Sequence, residues 1–243
     1  MKNSARNMTA KEKVCYIAFD EMSVKQHLQY SQRMDMIIGF QENGEERNRT
    51  FASEALVLMA RGVHKLWYQP FTFYLTEKGM SSAEIVVHLK SAIKHLRDAG
   101  FQVVATVCDQ GTRNKPAYNA LRDETRQKYI RRNEECRTFG FEIDDEEIIP
   151  LFDPPHLLKC WRNNLMEKDI LFTINDERKK ASWKHIRKAY DSGLLPGDIT
   201  EFYIDSTKVN KMRVKYAAAI FSNRCAQALR DGVEESKCYK NHS

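Results

Sequence analysis

Val14-Cys-Tyr-Ile-Ala-Phe-Asp20 decides the fold: it is an apolar run of strand length that delivers a carboxylate at its C-terminal end. Two further runs do the same, Val103-Val-Ala-Thr-Val-Cys-Asp109 and Ile148-Ile-Pro-Leu-Phe-Asp153. In open α/β sheets the loops after parallel strands converge on one edge, so residues far apart in sequence become neighbours. Carboxylates gathered there repel one another unless a cation lies between them, and hard oxygen ligands favour Mg²⁺ or Mn²⁺. The chemistry commonly built on such a site is phosphoryl transfer. Asp20, Asp109 and Asp153 are therefore the expected metal ligands, with Asp20 and Asp109 as the catalytic pair.

Aspartate after a strand also caps helices and opens turns. Asp20 runs on into Glu21-Met-Ser-Val-Lys25, which keeps strand character and leaves it no helix to cap. Asp109 precedes Gln110-Gly-Thr-Arg-Asn114, a glycine-containing turn that opens a helix. Asp153 stands before Pro154-Pro-His156, where helix capping accounts for it as well as a metal does.

Working outward, residues 1–13 are polar and read as a leader. Strands are expected over 14–19, 26–30, 35–40, 55–60 and 71–75, arranged as an antiparallel meander. Ser81-Ser82 with Glu84 starts a helix whose Ile85, Leu89, Ala92, Ile93 and Leu96 recur at helical spacing up to Gly100. That helix hands over to the strand ending at Asp109, a signal for parallel pairing. A charged helix over 115–132, an acidic loop over 142–147 and the strand ending at Asp153 follow. Beyond Pro155 strand signals fade, and helices are expected over 156–166, 182–190 and 211–221.

Of 243 residues, 42% are hydrophobic, enough for a real core, and the formal charge of +6 permits nucleic-acid contact without requiring it. The six cysteines form no C-x-x-C pair and no zinc-finger spacing, so they read as reduced thiols of a cytosolic or nuclear protein. No signal peptide and no apolar run near the ~20 residues of a membrane span is expected.

Six local strings, in this order, resemble the P-element and THAP-domain transposase family. They are Phe19-Asp-Glu-Met-Ser-Val, Ile37-Ile-Gly-Phe, Leu58-Met-Ala-Arg-Gly-Val, Val107-Cys-Asp-Gln-Gly-Thr-Arg-Asn, Phe152-Asp-Pro-Pro-His-Leu-Leu-Lys and Arg162-Asn-Asn-Leu. The resemblance implies an α/β fold: a ribonuclease H-like mixed sheet over 14–155, followed over 156–243 by the start of an all-α insertion domain that binds GTP. It implies a nuclear cut-and-paste DNA transposase that uses Mg²⁺ or Mn²⁺, works as a homo-oligomer on transposon ends and target DNA, and does not engage a membrane.

Two acids carry over from the family triad, onto Asp20 and Asp109. The third, a glutamate beyond the insertion, is expected to be missing here together with the amino-terminal zinc module, so little strand-transfer activity is expected of this chain alone. The alternative is a domesticated nucleic-acid-binding protein that has lost catalysis. Lys211-Met-Arg-Val-Lys-Tyr-Ala resembles a segment of the insertion, which makes Lys211, Arg213 and Lys215 candidate phosphate contacts for GTP, or else one solvated helix face. No P-loop is present. His156, Lys159 and Arg162, one helical turn apart, are candidate DNA contacts or ordinary helix surface.

Overall fold

The computed structural model describes residues 5–43, 46–205, 207 and 211–240, with side chains described to Gly232. The ends of the expected leader and of the chain, and the Cys238 thiol, lie outside that description. Two compact units are present, Met1–Asp153 and Pro154–Ser243.

The first unit is built on an eight-stranded sheet. Its strands are β1 (Val14–Ser23), β4 (Phe40–Glu42), β5 (Arg47–Phe51), β6 (Glu54–Gly62), β7 (Tyr68–Thr76), β8 (Gln102–Cys108), β9 (Phe141–Ile143) and β10 (Glu146–Phe152), in the order β5-β4-β7-β6-β1-β8-β10-β9. β1 is central, antiparallel to β6 on one side and parallel to β8 on the other. β8 is parallel to β10 in turn. Such a parallel step needs a crossover, and α1 (Ser82–Asp98) and α2 (Asn114–Arg132) are the helices in the connections that lead into β8 and away from it.

Alternation along β1 buries Cys15, Ile17 and Phe19 on one face. There they meet Ile85, Val86, Leu89, Ala92, Ile93 and Leu96 of α1, and Ala117, Tyr118 and Leu121 of α2. Each fully buried aliphatic side chain contributes about 1.5–3 kcal/mol of transfer free energy. Ser81 starts α1 with a capping box: its Oγ accepts from the Glu84 amide at 3.3 Å, and its own amide donates to Glu84 Oε2 at 2.8 Å. Gly100, at φ +90°, ends the helix in a left-handed turn and donates to the Arg97 carbonyl at 2.8 Å.

Several expectations are corrected. Sequence neighbours make only part of the meander: β4–β5 and β6–β7 pair antiparallel in the main sheet, whereas β2 (Gln29–Ser31) and β3 (Met36–Ile38) form a hairpin of their own outside it. β1 pairs with β6 instead over nine residues, and β6 brings its own alternation of buried Leu56, Leu58 and Ala60. The acidic stretch 142–147 is a hairpin, β9–β10, turned by Asp144 and Asp145 at φ +53° and +63°, a backbone aspartate tolerates better than most residues. Nor are residues 5–13 detached from the fold, since Ala5 is buried and Met8 packs against the core.

The second unit contains α3 (Pro154–Glu167), a hairpin of β11 (Ile170–Ile174) and β12 (Glu177–Ala181), α4 (Trp183–Asp191), α5 (Glu201–Ile204), α6 (Val214–Ile220) and α7 (Asn223–Lys240). The hairpin corrects the all-helical expectation: Ile170-Leu-Phe-Thr-Ile174 is β-prone, and Asn175-Asp176, at φ +51° and +62°, forms the tight turn. The helix expected over 211–221 begins only at Val214, so Lys211 and Arg213 precede it. The core here is smaller, with Leu165, Ile186, Ala189, Leu195, Ile199, Ile204, Ile220 and Cys225. Among the described residues no helix is long and apolar enough to cross a membrane.

Candidate active site

Parallel pairing of β1 with β8 matches Ala18 to Val107. Continuing that register two residues sets Asp20 opposite Asp109 where both strands leave the apolar interior. β10 repeats the geometry: Phe152 pairs with Cys108, and the Asp153 amide donates to the Cys108 carbonyl at 2.8 Å. Three neighbouring strands thus bring an aspartate to the end of their apolar run, Asp20 within β1 and Asp109 and Asp153 just after β8 and β10.

Asp20 and Asp109 line one open cavity of about 320 Å³, shared with Glu21, Glu54, Arg113 and Asn114. Asp153 is not part of that lining. Among the described residues no three His, Cys, Asp or Glu side chains converge as a metal-holding group. The structure therefore brings together two of the three expected ligands.

Asp109 is held firmly. Its Oδ1 accepts from the Gly111 amide at 2.8 Å and from Asn114 Nδ2 at 2.7 Å. A Cβ on Gly111 would lie 2.8 Å from the same oxygen, so glycine lets the turn close over the carboxylate. Asp20, exposed at the strand exit, accepts from the Glu21 amide through Oδ1 at 2.9 Å. Behind it the Cys108 thiol is pushed up to about 12 by burial, and the charges of Asp109 and Asp20 add to the rise. That thiol stays neutral and is no nucleophile.

Glu21 takes a different part from its neighbour. Its Oε1 accepts from the Met80 amide at 2.7 Å, and Oε2 lies 3.4 Å from Arg113 Nη1. The same guanidinium reaches Glu54 at 3.9 Å and donates through Nη2 to the Lys78 carbonyl at 2.5 Å. Gly79, at φ +75°, leaves the room: a Cβ there would sit 1.7 Å from Arg113 Nη1. Arg113 thus offsets two of the four carboxylates of the cavity. Sequence reading passed over Arg113 and Asn114 as site residues, although both stand in the string after Asp109. The signal was present, but nothing local says that Arg113 meets Glu21 and Glu54.

Two hard carboxylates in an open cavity suit a hydrated divalent ion, since Mg²⁺ keeps several waters and uses one or two protein carboxylates. Glu21 and Glu54 are engaged by Arg113, and Asp20 and Asp109 are the pair that β1 and β8 bring to the cavity together.

The remaining expected site residues lie in the second unit. Arg162 is corrected: it is 0% exposed. Its Nη2 donates to the Lys211 carbonyl at 2.9 Å and to Asn163 Oδ1 at 2.7 Å, and Nη1 to the Arg213 carbonyl at 3.5 Å. A guanidinium so enclosed ties α3 to the chain before α6 and cannot reach a DNA phosphate. Lys159 is buried on the same helix and His156 is half-buried. Lys211, Arg213 and Lys215 are exposed. Lys211 pairs with Glu167 at 2.9 Å, while Arg213 and Lys215 both lie over the Tyr216 ring.

Two family models match the chain: the TNP-like RNase H N-terminal domain over residues 1–122 and the TNP-like GTP-binding insertion domain over 155–240. The Transposable element P transposase of Drosophila melanogaster is 29% identical over 235 residues, covering 94% of this chain and 26% of the relative. Human DNA transposase THAP9 is 24% identical over 223 residues, covering 88% and 24%. A solved structure, the Drosophila P element transposase strand transfer complex, superposes with a TM-score of 0.68 at 26% identity, over 97% of this chain and 47% of that one. The chain thus spans about a quarter of the length of these curated relatives. With both domain models matched in order, and a mixed sheet of the corresponding architecture beneath the first, the chain belongs to the P-element-type transposase family.

Proposed function

We propose that the Asp20–Asp109 cavity forms part of a divalent-metal centre for phosphoryl transfer on DNA, within a cut-and-paste transposase of this family. The observation that carries the reading is the meeting of these two carboxylates, 89 positions apart in the sequence, on one cavity of the domain matched by the RNase H model. Asp20 and Asp109 would hold Mg²⁺ or Mn²⁺, and Asp153, after the next strand, is a further candidate. When bound, the ion supplies charge stabilisation for the transferring phosphoryl group and an activated oxygen nucleophile. The protein contributes orientation: Gly111 and Asn114 fix Asp109, and Arg113 draws Glu21 and Glu54 away from competing for the cation. Two carboxylates hold an ion less firmly than three, so weak metal binding and little strand transfer are expected of this chain alone.

For the second unit we propose GTP as the ligand, in keeping with its family model, with Lys211, Arg213 and Lys215 facing the phosphates. Lys211 would have to exchange Glu167 for phosphate. His156 and Lys159 are weaker proposals for DNA contact, being half-buried and buried. The partners proposed are transposon-end and target DNA and further copies of the chain, in the nucleus.

A second reading, a binding protein without catalysis, is favoured by the absence of a three-ligand group among the described residues. Mn²⁺ titration followed by electron paramagnetic resonance separates the two. Asp20→Ala and Asp109→Ala should each weaken binding by about ten-fold or more, the scale on which disturbing even the surroundings of a metal site acts. Identical titrations in wild type and both variants would leave only the binding reading.

A further inference from the structure

The stretch from 178 to 188 holds six Lys or Arg residues and no acid. The second unit folds it into two adjoining pieces. In β12, alternation puts Arg178 and Lys180 on one face of the ribbon, opposite Thr173 and Leu171 of β11. All four of these residues are exposed. Ser182 then caps α4, where Lys184, Arg187 and Lys188 follow at the three- and four-residue spacing that places side chains on one helix face. The opposite face of α4 is spent on the core through Ile186 and Ala189.

The helix cations rim an open cavity of about 450 Å³, whose floor includes Trp183 and Met166. Trp183 is anchored by its indole N–H, which donates to the Ile204 carbonyl at 3.0 Å. Acids answer only part of this charge. Asp191 takes Arg187 at 3.2 Å, Asp169 takes Lys180 at 2.7 Å, and Glu177 takes Lys179 at 3.3 Å. No ion pair among the described residues engages Arg178, Lys184 or Lys188. From the exposed second strand of the ribbon onto the helix, residues 178 to 188 present six cations, and the acids that answer them lie outside that stretch.

We propose that this ribbon-and-helix surface binds the phosphodiester backbone of duplex DNA, with Arg178, Lys184 and Lys188 each neutralising a phosphate. A two-stranded ribbon is also of a size that a major groove admits. The inference rests on the DNA-directed reading of the family, but it concerns a surface remote in sequence from the carboxylates and needs no metal.

Counterion release supplies the test, because log K falls with log salt by about 0.9 for every phosphate contact. The whole chain is titrated against a mixed-sequence 30-base-pair duplex (about three helical turns) at several salt concentrations. The triple variant Arg178→Gln, Lys184→Gln, Lys188→Gln is compared with a charge-matched control in the first unit, Arg49→Gln, Lys94→Gln, Arg131→Gln. All six positions are exposed, so both variants should fold as wild type does. The expected result is a salt slope lower by about 2–3 in the first variant only. Equal slopes in wild type and that variant, or an equal fall in both variants, would overturn the proposal. So would a wild type that binds no duplex at low salt; the Mn²⁺ titration would then still judge the carboxylate site separately.

Discussion

Asp109 and Arg162 show two opposite uses of charge. Asp109 stands at a strand exit, with one oxygen fixed by Gly111 and Asn114 and its site open to solvent. Arg162 lies inside its unit with its donors committed to Asn163 and to the carbonyls of Lys211 and Arg213. Burial lowers its pKa, yet a guanidinium remains charged at neutral pH. The first charge is held ready for a ligand; the second is used up in structure. A charged residue in a conspicuous motif is therefore a binding candidate only when the fold leaves some of its hydrogen-bonding capacity unspent.

The sharpest way to break this contrast is to remove the buried charge. Arg162→Ala should destabilise the second unit by about 3 kcal/mol, because it removes a fully buried side chain together with the donor of the Lys211 and Arg213 carbonyls and opens a cavity. Arg162→Lys should recover little of that, since an ammonium lacks the planar fork that reaches both carbonyls. Urea unfolding followed by Trp161 and Trp183 fluorescence reads the effect. Loss of DNA affinity with unchanged stability would instead make Arg162 a binding residue.

A smaller effect is expected at the open site. Asn114→Ala removes one hydrogen bond to Asp109 and should cost about 1 kcal/mol of stability, while weakening Mn²⁺ binding several-fold through a less ordered carboxylate. Unchanged metal affinity would mean that Gly111 alone positions Asp109.

The smallest concerns the cap of α1. Glu84 has a pKa below its ordinary 4.5, chiefly because Ser81 hydrogen-bonds to its carboxylate. A group whose folded pKa is depressed stabilises the fold above its unfolded value and loses that contribution as pH falls through the folded one. The stability of the first unit should accordingly decline below pH 4.5. Ser81→Ala should cost about 1 kcal/mol at neutral pH and flatten part of that decline. Thermal melts between pH 3 and 7 measure both.

Much of this was legible along the chain. The runs ending at Asp20, Asp109 and Asp153 are strands, the Ser81–Glu84 box starts α1, and the helix after Pro155 lies where its apolar spacing puts it. The failures share a cause. The strands 29–31 and 36–38 are too short to span the centre of the sheet, yet nothing in their own sequence says that Glu54–Gly62 will displace them beside β1. The hairpin at 170–181 was hidden because its second strand, Glu177-Arg-Lys-Lys-Ala181, has no apolar alternation and takes its conformation from pairing with β11. Arg113 and Arg162 were invisible as structural hubs because the backbone and carboxylate partners that fix them lie 35 to 92 and 49 to 51 positions away.

The sequence by itself determined most of the strands and helices of the first unit and where the carboxylates emerge, because propensity, capping and apolar period act over a few residues. Only the tertiary structure decided which strands became neighbours, that Asp20 and Asp109 share a cavity from which Asp153 is left out, and which arginine is buried. Those outcomes depend on register and on the matching of distant donors with acceptors, and a buried polar group is tolerated only where the folded chain satisfies it.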